Sequence, residues 1–200
     1  MYTLYDFAPS GNCYKIRLLF SQLNIEFKRV NVDILKDESH TAEFLAFNPD
    51  GRVPVLKHGD KYLAESNAIL WYLASGSDLI PEDKYEQAQI LQWMFFEQFS
   101  HEPYLAKARF WVSILKAEEK FKEALKEKME LGYAALDVME KHLMANDYFV
   151  GNRYSIADIA LYAYTHVAEE GNFDLSGYQQ ITAWFKRIEN QNNYINIKST

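Results

Sequence analysis

Two hundred residues suffice for one large domain or two small ones, with a core that needs no covalent staples. Apolar residues make up 48% and charged residues 24%, with 8 Gly and 5 Pro, which excludes a disordered or collagen-like chain. The single cysteine, Cys13, excludes an internal disulfide framework, a multi-thiolate metal site and Cys-pair redox chemistry, and a net charge of -7 with scattered Lys and Arg leaves no footprint for nucleic acid.

Residues 2–7 and 27–34 alternate as strands, the second with Val30, Val32 and Ile34 on one face. Between them, Ile16, Leu19, Phe20 and Leu23 recur at helical spacing, which leaves Lys15, Arg17 and Gln22 to face water. A second helix is expected around Ala42 to Phe47, ended by the turn formers Asn48-Pro49-Asp50-Gly51. Residues 54–57 and 61–64 then read as a hairpin about His58-Gly59-Asp60, and Ser66 is placed to cap a helix carrying Ile69, Leu70 and Leu73. The order βαβαββα is complete within the first 75 or so residues. Gly76-Ser77-Asp78 and Pro81 form a linker, and all that follows is helical in pattern. The boundary predicts domains over 1–77 and 84–200.

Residues 1–77 carry eight basic and nine acidic groups and residues 78–200 thirteen and nineteen, so the acidity belongs to the helical part. Residues 116–130 interleave both signs as a solvated helix face does. Ser155-Ile-Ala-Asp158 has capping-box spacing ahead of the apolar run Ile159 to Ala163. Ile181, Trp184, Phe185 and Ile188 mark a last helix, and the polar tail beyond Gln191 is expected to fray. No uninterrupted apolar run reaches about 18 residues, and the N-terminus lacks a signal-peptide pattern, so the chain reads as cytoplasmic, without a membrane partner.

Ser10-Gly11-Asn12-Cys13 lies between a strand end and a helix start, where free amides and the positive helix end converge on an anion such as a thiolate. The same spacing also fits Ser10 or Asn12 as a plain helix cap. Tyr5 through Arg17, Asn48-Pro-Asp-Gly-Arg-Val-Pro-Val-Leu56, Glu65-Ser-Asn-Ala-Ile-Leu70 and Ser155-Ile-Ala-Asp158 together resemble the soluble bacterial-type glutathione transferases with a serine-type active site, over essentially the whole chain.

The resemblance implies a thioredoxin-like N-terminal domain followed by an all-α domain. It implies that Ser10 hydrogen-bonds the sulfur of glutathione, the co-substrate, and that Val53, before a cis Pro54, pairs its backbone with the cysteinyl part. Glu65 would face the γ-glutamyl ammonium and Ser66 the carboxylate. Arg52 stands where several classes carry Gln, and Lys36, Ser39 and His40 compete for the glycyl carboxylate, with His40 favoured. Cys13 more naturally faces the core than a ligand. The helical domain would hold a hydrophobic, electrophilic second substrate in a pocket lined by His101, Arg109 and Phe110, with Tyr104 as a further candidate, and Asp158 would be a buried cap. A two-fold homodimer is implied, and no metal is called for. A glutathione-dependent isomerase or dehalogenase, or a non-catalytic binding module on the same fold, are the alternatives to a conjugating enzyme.

Overall fold

The computed structural model describes residues 1–199, which form two compact units. The first comprises Met1–Ser75 together with the segment that starts at Gln191, and the second is Gly76–Asn190.

In the first unit, strands β1 (Tyr2–Asp6), β2 (Phe27–Asn31), β3 (Val55–His58) and β4 (Lys61–Ala64) form one sheet in the order β2-β1-β3-β4. β1 runs parallel to β2 in the register Leu4↔Arg29, and antiparallel to β3 in the register Leu4↔Leu56. A β1 flanked by one parallel and one antiparallel neighbour, with a βαβ crossover on one side and a hairpin on the other, is the thioredoxin-like arrangement. The connecting helices are α1 (Gly11–Gln22), α2 (Ala42–Leu45) and α3 (Ser66–Ala74). Two short 3-10 turns, Ile34–Lys36 and Glu38–His40, take over where strand was expected to continue to residue 34. Asp33 ends that extension, because its side chain accepts the Leu35 N–H at 3.0 Å and caps the turn.

Helix α1 is buried around almost its whole circumference. Lys15 is 0% and Arg17 3% exposed, so the expectation that both face water is corrected. Arg17 is retained inside by hydrogen bonds from both terminal nitrogens: Nη1 meets Asp6 Oδ1 at 2.6 Å, and Nη2 donates to Ala8 O at 2.9 Å and Ile197 O at 3.1 Å. Arg29 pairs with the same Asp6 carboxylate.

The C-terminal segment, which the predicted boundary assigned to the helical domain and whose end was expected to fray, instead lies along α1. Tyr14 Oη donates to Ile195 O at 2.7 Å, Ser21 Oγ donates to Asn193 O at 2.8 Å, and Ile197 is buried. Backbone carbonyls of the segment serve as acceptors for α1, a role that its polar composition does not reveal.

The second unit is helical: α4 (Lys84–Phe96), α5 (Glu102–Arg109), α6 (Glu118–Leu143), α7 (Ile156–Thr165) and α8 (Gln179–Glu189). π-helical turns at Glu97–His101 and Phe110–Ile114 follow α4 and α5. The N-terminal part of α6 is solvated as expected, with Lys126 and Glu123 paired at 2.7 Å. α7 is buried along its entire length, and Asp158 is its anchor. The carboxylate accepts the Ser155 backbone N–H and hydroxyl at 3.0 Å each, the Phe149 N–H at 3.2 Å and the Trp184 indole N–H at 2.9 Å. The capping box thus extends to α8 through Trp184. No helix among the described residues is long and apolar enough to cross a membrane.

Candidate functional site: the starts of α1 and α3

Ser10 is the N-cap of α1, with φ -72° and ψ 125°, and its Oγ accepts the Cys13 N–H at 3.3 Å. The cap and the anion-binding reading of the sequence therefore coexist. A hydroxyl that accepts from the helix keeps its own hydrogen to give, and that of Ser10 has no acceptor among the described residues. The loop before it is held by Ser10 N–H to Phe7 O at 2.8 Å and by Arg17 on Ala8 O. Cys13 is fully buried and its sulfur accepts the Phe7 N–H at 3.4 Å. Burial pushes the thiol far above the ordinary range, so Cys13 is a core residue.

The turn before β3 is built on Asn48, buried at 5%, which donates from Nδ2 to Arg52 O at 2.7 Å and accepts the Gly51 N–H on its backbone oxygen at 3.0 Å. The Val53–Pro54 bond is cis, as expected. Arg52 is exposed and pairs with Asp50 at 2.9 Å, so its side chain belongs to the outer side of the turn.

Of the three candidates for the glycyl carboxylate, Ser39 is buried, and Lys36 is exposed and paired with Asp33 at 3.2 Å. His40 is exposed, pairs with Asp37 at 2.9 Å, and lies against the turn: a Cβ on Gly51 would fall 2.7 Å from His40 Nε2. Gly51, at φ +65°, is the residue that permits this approach.

Glu65 precedes α3 with φ 68° and ψ 111°, a conformation that L-residues seldom adopt, and its exposed carboxylate has no ion pair among the described residues. Such backbone strain, on the order of 1–3 kcal/mol, persists where the surroundings over-determine it, often at ligand sites. Ser66 is the first helical residue and does not cap α3 with its side chain, contrary to the sequence expectation. Its hydroxyl instead donates to Asn12 Oδ1 at 3.2 Å and accepts from Lys15 Nζ at 3.2 Å. Lys15 also donates to Asn67 Oδ1 at 3.3 Å. These bonds place the first turns of α1 and α3 side by side.

The sequence reading turned Lys15 to water, gave Asn12 no more than a capping role and gave Asn67 none. The available signal was Leu18, an apolar residue off the predicted stripe of α1, which shows that the helix buries more than one face.

In the helical unit, two of the expected pocket residues are buried and hydrogen-bonded within the unit. His101 has no exposed surface, and its Nε2 lies 2.8 Å from Thr165 Oγ1. Thr165 gives its own hydrogen to Leu161 O at 2.6 Å, so His101 is the donor and carries its proton on Nε2. Arg109, 6% exposed, donates to Glu170 at 2.7 Å, and its backbone is packed against Gly171. Both residues tie segments of the helical unit together. Phe110 is half-buried with Lys107 Nζ 5.9 Å from its ring centre, and Tyr104 is half-buried with Lys128 Nζ at 5.3 Å.

Residues 1–75 match the family described as "Glutathione S-transferase, N-terminal domain", and residues 93–192 match "Glutathione S-transferase, C-terminal domain". The chain belongs to the glutathione S-transferase family. A solved structure described as a possible glutathione S-transferase from Rhodopseudomonas palustris is similar to it with a TM-score of 0.98 and 48% identity, over 100% of this chain and 91% of that one. Glutathione S-transferase F10 of Arabidopsis thaliana is 33% identical over 84% of this chain and 82% of its own length. The glutathione transferase URE2P8 of Phanerochaete chrysosporium, solved with oxidized glutathione, matches with a TM-score of 0.85 at 26% identity, over 96% of this chain and 90% of that one. Family members use glutathione as co-substrate, and the α1–α3 corner of this family member is its candidate glutathione site.

Proposed function

We propose that this protein is a serine-type glutathione transferase of the bacterial kind: it binds glutathione at the α1–α3 corner, ionises the thiol beside Ser10, and directs the thiolate at an electrophilic carbon of an apolar small molecule. The observation that carries this reading is Ser10 itself, a helix cap whose hydroxyl hydrogen is uncommitted at the positive end of α1. A thiol with pKa ~8.5 is mostly protonated at neutral pH, and each unit of lowering needs about 1.4 kcal/mol of preference for the anion. One hydroxyl donor and a helix start supply interactions of that size.

Val53 next to cis-Pro54 presents backbone suited to antiparallel pairing with the cysteinyl part. Glu65 faces the ammonium, the start of α3 the γ-glutamyl carboxylate, and His40 the glycyl end. The electrophile falls to the helical unit, where Phe110 and Tyr104 retain exposed aromatic surface. We assign the chain to the cytoplasm as a two-fold homodimer acting on toxic electrophiles. Light scattering tests the dimer.

The functional test pairs two measurements on the parent and Ser10→Ala: ultraviolet titration of the bound glutathione thiol, and turnover over aryl halides, epoxides, hydroperoxides and maleyl compounds. The expected result is a thiol pKa below that of free glutathione in the parent, restored toward the free value in Ser10→Ala, with turnover falling alongside. An unshifted thiol in the parent removes Ser10 from the mechanism. Turnover confined to the maleyl compounds would instead favour a dedicated isomerase.

A further inference from the structure

The structure assigns to buried Lys15 the task of holding the start of α3 ready for the α-carboxylate of the γ-glutamyl residue, which makes it a positioning residue for glutathione. The inference rests on the glutathione reading above and adds to it a residue that touches no ligand. It starts from the proton inventory of Ser66. A serine hydroxyl has one hydrogen to donate and two lone pairs. Here the hydrogen points at Asn12 Oδ1, 3.2 Å away, and one lone pair takes a hydrogen of Lys15 Nζ, also at 3.2 Å. The Ser66 side chain is thus a bridge between α1 and α3, and a carboxylate at this corner is met by the backbone N–H groups of the first turn of α3.

Lys15 is bonded to the residues that open this turn. It is 0% exposed and donates to the side chains of both Ser66 and Asn67, the first two residues of the helix. It therefore fixes their orientation and adds a positive charge to the helix end on the side away from solvent. Because Lys15 and Asn12 sit on the first turns of α1, which begins at the Ser10 cap, the same bonds set the spacing between the carboxylate site and the thiol site. An Nζ with hydrogens directed at two side chains is rigid in a way that a solvated lysine is not.

A glutathione analogue without that carboxylate, 4-aminobutyryl-cysteinylglycine, isolates the effect. Calorimetry of both peptides is carried out on the parent, on Lys15→Met and on Ser66→Ala, with circular dichroism to establish folding. The parent is expected to prefer glutathione. Lys15→Met is expected to weaken glutathione by about tenfold or more, the size of one charge-assisted interaction, and to leave the analogue within about twofold. A general loss of packing would weaken both peptides alike. If Lys15→Met keeps the parent's preference, the assignment is wrong.

Ser66→Ala decides the matter even if Lys15→Met does not fold. Part of the preference must survive in it, carried by Lys15 and the backbone amides, and its complete loss would transfer the role to the Ser66 hydroxyl and overturn the proposal. A parent without any preference between the peptides brings down the placement of the γ-glutamyl end, and with it this inference, before any variant is made.

Discussion

Two serines at the same corner differ in what they can donate. Ser10 accepts from the helix and retains its hydrogen, whereas Ser66 spends its hydrogen on Asn12. The difference gives Ser10→Cys a defined outcome. The new thiol takes the place of the hydroxyl at a helix N-terminus, where thiol pKa values fall. Its thiolate attacks oxidised glutathione, displaces one glutathione thiolate, and leaves a mixed disulfide on the protein. Cys13 stands one helical turn on but cannot resolve it, because its sulfur is fully buried, accepts from Phe7, and is pushed up by burial. Mass spectrometry should find one glutathione per chain, stable until an external thiol is added, with conjugation reduced. A protein that expels the adduct to form an internal disulfide would contradict this.

The residues around Ser10 were legible because strand ends, helix starts and turn formers leave local signatures: Ser10 and Asn48 to Gly51 are read from neighbours in the chain, whereas the cis Val53–Pro54 bond was implied by the family resemblance. Lys15 was not legible. Its burial depends on α3, about fifty residues away in sequence, and no local period reports a third element packed on a helix.

At the scale of the element, α7 shows how a short motif becomes a tertiary anchor. The spacing Ser155 to Asp158 predicts a cap worth about 1 kcal/mol. The structure adds Phe149 and Trp184 to the donors, so Asp158→Ala leaves several buried N–H groups without their acceptor. The expected cost therefore rises to about 3–5 kcal/mol in urea unfolding.

The pH dependence carries a separate signature. Burial outweighs the donors and pushes the Asp158 carboxyl up to about 6, above its value in the unfolded chain. Its contribution is therefore fully present below the unfolded value, near ~4, and is lost as pH rises through about 6. Burial pushes His166 down to about 4, so its contribution is present above ~6.5 and is lost as pH falls through about 4. Between these limits the two slopes oppose one another, each worth about 3 kcal/mol over the window. Asp158→Asn removes one of them. The deficit of the variant relative to the parent should be greatest near pH 4 and shrink as pH rises to 6, and a deficit independent of pH would show that Asp158 does not titrate in the folded chain.

The same element marks the limit of pattern reading in the helical part. His101 and Arg109 stand on polar-aromatic stretches that suit a pocket, yet each is turned to a partner far along the chain, Thr165 and Glu170. The π-helical turns after α4 and α5 alter the facing of whatever follows them, and a 3.6-residue period cannot anticipate that change.

At the scale of the whole molecule, chain order and packing order part company at the C-terminus. The helical unit ends at Asn190, and the segment after it is counted with the first unit, along α1. Polar composition suggested fraying, but the segment works through its backbone: the carbonyls of Asn193, Ile195 and Ile197 accept from Ser21, Tyr14 and Arg17. Deleting the chain after Asn190 takes the acceptors from two buried donors and uncovers the surface that Ile197 shields. With about 1–3 kcal/mol for each donor deprived of its partner, offset where water enters, and about 2 kcal/mol for the isoleucine, the first unit should lose on the order of 3 kcal/mol. Hydrogen exchange reads the loss where it falls. Amides of α1, from Tyr14 to Gln22, should exchange faster by about two powers of ten in the truncated protein, while those of α7 keep their protection. On the mechanism proposed above, thiol ionisation at Ser10 should weaken as well, since Arg17 holds Ile197 O and the Ala8 carbonyl with the same Nη2. Unchanged protection in α1 would mean that the segment is held by the helix without holding it in return.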